Sequence, residues 1–96
     1  ITGGGFYENI PRALPDGITA KINKNSYEVP AIFKLLQNTG NISEHDMYNT
    51  FNMGIGMMMV VDKADAAKAV EILRANGENA FVIGETIAGD EGVIIE

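Results

Sequence analysis

The longest apolar run in this chain, Gly54 to Val61, does most to limit what it can fold into. A bilayer span needs about 20 consecutive apolar residues, so this run is too short to cross one. It is long enough for a strand covered on both faces. Ile55 to Val61, nearly all apolar and partly β-branched, reads as such a central strand. Met57, Met58 and Met59 are then core packing rather than metal or cofactor ligands. Asp62 follows as a helix cap, and Lys63 to Asn76 carries the clearest helical pattern. There Ala66, Ala69, Val70 and Leu73 make one apolar stripe while Lys68, Glu71 and Arg74 face water. Asn76-Gly77 ends that helix.

The elements on either side follow from similar signals. Phe6, Ile10 and Leu14 are spaced for a short helix entered through glycines, and Pro11 should kink or stop it near Ile10. Leu14-Pro15-Asp16-Gly17 is turn chemistry. Ile18 to Ile22 alternates apolar with polar, as a half-buried strand does, and Asn23 to Ser26 is a polar loop. Pro30 suits the first position of a helix through Ile32, Phe33, Leu35 and Leu36 that closes at Gly40. Ser43, with Asp46 three residues on, reads as the capping box of a helix over Glu44–Tyr48. Ala80 to Ile83 and Val93 to Ile95 are short strands joined by the turn Ala88 to Gly92. The order is helix–strand–helix–helix–strand–helix–strand–strand. It predicts an α/β or α+β fold, one mixed sheet with helices packed on it.

Charge and composition exclude several functions. Seven Lys and Arg against thirteen Asp and Glu give a net charge of −6, with no basic cluster to meet a nucleic-acid backbone. At 46% hydrophobic and 21% charged, the chain is globular rather than disordered. It has no cysteine, which suits a reducing cytoplasm. With no cysteine and one histidine, a self-contained nucleophilic triad is not expected. His45, between Glu44 and Asp46, reads as a solvated helix residue without partners for a metal. Glu8 and Arg12 stand i,i+4, the spacing of an ordinary helix ion pair. The 96 residues suffice for one small domain. The chain opens on Ile1 without an initiator methionine, and a strand-like Ile-Thr before glycines is expected to have chain in front of it.

Two segments are candidate sites. Thr2-Gly3-Gly4-Gly5 opens a helix, where glycines let the backbone approach a ligand and first-turn N–H groups favour a phosphate. The bland alternative is a flexible loop. The segment is neither a Walker loop nor a G-x-G-x-x-G fingerprint. Asn49-Thr50-Phe51-Asn52-Met53-Gly54-Ile55-Gly56 sets two carboxamides and two glycines at a strand entrance. It can meet a polar ligand, or its glycines can simply permit close packing.

These words together resemble a known family. Ile1 through Pro15 (ITGGGFYENIPRALP) is similar to a stretch of the phosphoribosylformylglycinamidine cyclo-ligases, the aminoimidazole ribonucleotide synthetases of purine biosynthesis. Asp46 through Met57 (DMYNTFNMGIGM) resembles that family's second signature. Val29-Pro30-Ala31-Ile32-Phe33, Leu36-Gln37, Gly40-Asn41 and Gly77-Glu78-Asn79-Ala80 match in the same order. One departure is Tyr27, where the family often has Trp; an aromatic anchor is kept.

The resemblance implies that residues 1–96 are an incomplete domain, roughly the last two-thirds of the family's C-terminal α/β domain. A dimerising, ATP-binding N-terminal domain would be absent. In the whole enzyme, ATP and Mg²⁺ activate formylglycinamidine ribonucleotide for ring closure to aminoimidazole ribonucleotide, ADP and phosphate. The subunit would be a cytoplasmic homodimer, and this fragment alone would be inactive. Thr2, Gly3, Gly4, Gly5 and Asn9 would line a cleft and hold a substrate or nucleotide phosphate. Asn52 and Gly54 would lie at or beneath the same cleft, and Arg12 would either reach a phosphate or pair with Glu8. The metal ligands would lie outside this chain, with Glu85, Asp90 and Glu91 as surface charge. Two other readings compete. One is a related ATP-dependent phosphotransfer enzyme of the same architecture, such as selenophosphate synthetase or thiamine monophosphate kinase. The other is a non-enzymatic metabolite-binding α+β module.

Overall fold

Strand β1 (Ile18–Ile22) organises the molecule, and the computed structural model describes all residues, 1–96, around it. On one side β1 pairs antiparallel with β2 (Gly84–Ala88), with Ile18 opposite Ala88 and Ile22 opposite Gly84. On the other it pairs parallel with β3 (Val93–Ile95), with Ala20 opposite Val93. The sheet is therefore mixed, in the order β2-β1-β3. The last two strands do not form a hairpin, because β1 lies between them. The Gly89–Gly92 connection must pass the end of β1 across two strand spacings, about 10 Å. Hydrogen bonds from the Gly89 N–H to the Gly17 carbonyl (3.0 Å) and from the Ala20 N–H to the Gly92 carbonyl (2.9 Å) fix its path. The fully buried Thr19 adds a bond from its hydroxyl to Glu91 (3.3 Å).

Four helices accompany the sheet: α1 (Gly5–Asn9), α2 (Ala31–Gly40), α3 (Glu44–Thr50) and α4 (Ala66–Ala75). As Pro11 predicts, α1 stops before Ile10, and a 3-10 turn carries the chain over Ile10–Ala13. Helix α3 is capped by Ser43, whose hydroxyl accepts the Asp46 N–H at 3.2 Å. The return arm of the box is missing, since the Asp46 carboxylate sits 3.6 Å from His45 Nδ1. Helix α2 closes one residue later than expected: Asn41, not Gly40, takes the left-handed position at φ 52°. Asparagine is the side chain that tolerates this best after glycine.

The core joins α1, α3 and the sheet. Phe6, Ile10, Ala20, Ile22, Met47, Tyr48 and Val93 are buried together, with Tyr27, Met53 and Ile55 beside them. Phe6 meets Tyr48 edge-on at 5.2 Å, the geometry aromatic quadrupoles favour.

Three expectations are corrected. Ile55 to Val61 is not a strand: no strand of this chain runs beside it, and only Ile55 is buried, while Met57 is 83% exposed. Of the methionine run, only Met58 packs, half-buried, against the core, while Met57 and Met59 are exposed. Ala80 to Ile83 is not a strand either. Pairing with β1 begins at Gly84, opposite Ile22, and residues before it overrun the end of β1. The third correction concerns helix α4, which begins only at Ala66, after a 3-10 turn over Lys63–Asp65 whose Asp62 gives no side-chain cap. Its stripe Ala66, Ala69, Val70 and Leu73 does face inward, half-buried. No helix is long and apolar enough to cross a membrane.

Candidate functional site

The two candidate segments meet. Ile1, Thr2 and Gly3 form one wall of an open cleft of about 340 Å³, and Thr50, Phe51 and Asn52 form the other, with Phe33 of α2 between them. Packing of α1 on α3 brings this about. A Cβ on Gly5 would collide with the Tyr48 carbonyl oxygen, so glycine is what lets α1 reach the C-terminal turn of α3. The glycine segment and the Thr50–Asn52 segment are thereby held side by side.

Each glycine then has its own part. Gly4, at φ 99°, turns the chain into α1. Gly5 is the contact with α3. Gly3 has nothing within 4 Å of where a Cβ would stand, so its backbone is open to the cleft. Asn9 faces the loop rather than the cleft. Its Nδ2 donates to the carbonyls of Gly5 (2.8 Å) and Thr2 (3.2 Å), and the Thr2 hydroxyl donates to its Oδ1 (3.1 Å). Asn9 is thus the brace that keeps Thr2-Gly3 in shape. Neither the Thr2 nor the Gly3 N–H donates to a protein acceptor.

On the opposite wall, Asn52 Oδ1 accepts the Gly54 N–H at 2.8 Å, leaving its Nδ2 without a protein partner. Met53 (φ 53°) and Gly54 (φ 92°) are both left-handed, and Gly54 also lies against the Pro30 ring, where a Cβ would be 2.6 Å from Cδ. Tyr27 donates its hydroxyl to the Met53 carbonyl at 3.0 Å. Burial, and secondarily the neighbouring Tyr48, push the Tyr27 phenol well above its ordinary 10.0. Burial also raises Tyr48, with Glu44 and Tyr7 adding to it.

Phe33 and Phe51, 5.9 Å apart, give the cleft its apolar floor. No Lys or Arg lines it. The expected Glu8–Arg12 pair does not form, because the helix tightens into a 3-10 turn after Asn9 and the i,i+4 spacing is lost. Glu8 lies over Gly4 instead. With its amide nitrogen turned inward, Asn49 donates to Glu8 Oε2 (3.2 Å) and to the Gly4 carbonyl (3.3 Å). No three His, Asp or Glu side chains converge as metal ligands, and His45 is exposed and stacked on Tyr7 at 4.4 Å.

Sequence reasoning missed Phe33, placed only on the α2 helix and in one family match, and the Tyr27–Met53 bond, for which Tyr27 gave no signal beyond an aromatic anchor. The Asn49–Glu8 link had no sequence signal, since it crosses between helices. Thr50 and Phe51 lay within the second motif but were not singled out.

Comparison with known proteins was decisive at this point. The family described as AIR synthase related protein, C-terminal domain, matches residues 1–96. The chain belongs to that family. Curated relatives of this AIR synthase C-terminal domain bear the name phosphoribosylformylglycinamidine cyclo-ligase. One from Lachnospira eligens is 60% identical over 95 residues, covering 99% of this chain. Others from Lachnoclostridium phytofermentans and Staphylococcus saprophyticus are 58% and 57% identical. The chain spans 28% of the length of the first two relatives. The mixed α+β sheet with its helices is consistent with that C-terminal domain.

Proposed function

We propose that this chain is the C-terminal part of a phosphoribosylformylglycinamidine cyclo-ligase that closes the imidazole ring of formylglycinamidine ribonucleotide at the expense of ATP. The observation that carries the reading is the meeting of two family signatures in one cleft, in a chain 60% identical to a protein of that name. ATP phosphorylates the formyl oxygen, the amidine nitrogen attacks that carbon, and the C–O bond breaks to release phosphate. Aminoimidazole ribonucleotide and ADP are the other products. The intact protein would work in the cytoplasm as a homodimer paired through its N-terminal part.

Within this chemistry the cleft holds a phosphate of the ribonucleotide or nucleotide. The Thr2 and Gly3 N–H groups and the Asn52 Nδ2 belong to residues lining the cleft and are neutral donors without protein partners. Such preorganised dipoles stabilise anionic charge without reorganising. The Glu8 carboxylate lies over Gly4, so the anion sits at the Thr2–Gly3 end of the loop. Gly4, Gly5, Asn9 and Gly54 shape the walls. Phe33 and Phe51 exclude water beneath it. Mg²⁺ would lower the charge on the ATP phosphates, but the acidic side chains of this chain do not converge to hold it.

The test is turnover by the full-length polypeptide with ATP and formylglycinamidine ribonucleotide. Aminoimidazole ribonucleotide should appear in step with ADP. An intact, folded protein that makes none would refute the reading. A thermal shift with thiamine monophosphate or a selenium substrate, but not with the ribonucleotide, would point to a related phosphotransfer enzyme instead.

A further inference from the structure

Asn52 lies two residues beyond α3, in no helix or strand, so contacts outside regular structure fix it. Two consecutive left-handed residues, Met53 at φ 53° and Gly54 at φ 92°, make the turn. Methionine is not a residue that adopts this region freely. The turn closes on itself through the Gly54 N–H to Asn52 Oδ1 (2.8 Å) and the Ile55 N–H to the Asn52 carbonyl (2.9 Å). Those bonds tie Asn52 to the turn, and just beyond it the Ile1 amine donates to the Gly56 carbonyl.

The tie at the turn itself comes from the segment between β1 and α2. Tyr27 and Met53 are 9% and 5% exposed, and the Tyr27 hydroxyl donates to the Met53 carbonyl at 3.0 Å. It is the one hydrogen bond between the two segments. The ring is itself held against Phe81, 5.8 Å away, and the chain before it by the Ser26–Asn23 turn. Burial keeps the phenol protonated, so it remains a donor at any physiological pH.

We propose that Tyr27 is a positioning residue of the cleft: by pinning the Met53 carbonyl it sets the direction of Asn52, although it touches no ligand. The proposal rests on the reading that this cleft binds substrate or nucleotide.

Two variants of the full-length polypeptide test it: Tyr27→Phe and Asn52→Ala. Tyr27→Phe removes one oxygen and should still fold. It is expected to raise KM for ATP or for the ribonucleotide roughly three- to tenfold, the loss of one buried hydrogen bond, with kcat little changed. If Asn52→Ala raises KM while Tyr27→Phe lowers only the melting temperature, the cleft stands and Tyr27 has a purely structural role, which overturns the proposal. Unchanged KM in Asn52→Ala removes the cleft reading itself, and the proposal with it.

Discussion

Gly3 and Gly5 are adjacent but one, and the structure gives them opposite jobs. Gly5 stands at φ 62° with the Tyr48 and Phe51 carbonyls where its Cβ would be. Gly5→Ala therefore meets both backbone strain and an overpacked contact, and should destabilise the protein by about 2–4 kcal/mol. Gly3→Ala meets nothing within 4 Å and should leave the melting temperature within about a degree of the parent. If Gly3 borders a bound phosphate, that same substitution raises KM, because a methyl group intrudes where the backbone N–H meets the anion. Calorimetry and steady-state kinetics on the two variants separate a fold glycine from a site glycine. A Gly5→Ala protein as stable as the parent would contradict the packing of α1 on α3. None of this division was legible in a run of three identical residues, since only the third dimension distinguishes them.

At the level of elements, local signals succeeded where the deciding interaction is local. Ser43 caps α3 through a bond within one turn, so a serine before an acidic stretch was enough to place the helix start. Replacing it with alanine should cost about 1 kcal/mol, read as a lower midpoint in thermal unfolding. Asp62→Ala should cost less than half of that, because Asp62 makes no side-chain cap. Equal losses would mean that the 3-10 entry to α4 depends on Asp62 after all. Pro11 likewise stopped α1 where its missing N–H predicts. The failures share a different cause. Ile55–Val61 and Ala80–Ile83 have strand composition, but a strand exists only beside a partner, and the partner is a distant segment that periodicity cannot see. Gly84–Ala88 is a strand despite its Gly and Glu, because Lys21 and Ile22 offer it a ladder. The candidate site was legible as two motifs; their convergence was not, because it depends on the Gly5–Tyr48 approach.

The whole molecule is more open than its mass requires. A self-sufficient monomer of 10.3 kDa has about 5,400 Å² of accessible surface, whereas this chain exposes 6446 Å². Its extents of 41 × 34 × 20 Å describe a flattened body rather than a sphere. Large exposed apolar side chains are grouped along the chain. Ile32, Leu35 and Leu36 are exposed on α2, Met57, Met59, Val60 and Val61 on the extended segment, and Phe81 and Val82 before β2. The extended segments also present unpaired backbone, which pairs readily with another chain. The isolated 96-residue chain should therefore associate with itself, through surface that the rest of a full-length subunit would cover. Sedimentation velocity should give a mass average that climbs above 10.3 kDa as concentration rises through the micromolar range. Met59→Lys together with Val82→Lys should return it toward monomer, because a charge on each stretch opposes burial and edge pairing. A parent chain that stays monomeric at about millimolar concentration, where even weak contacts of a few kcal/mol populate dimers, would mean that these side chains are content in water.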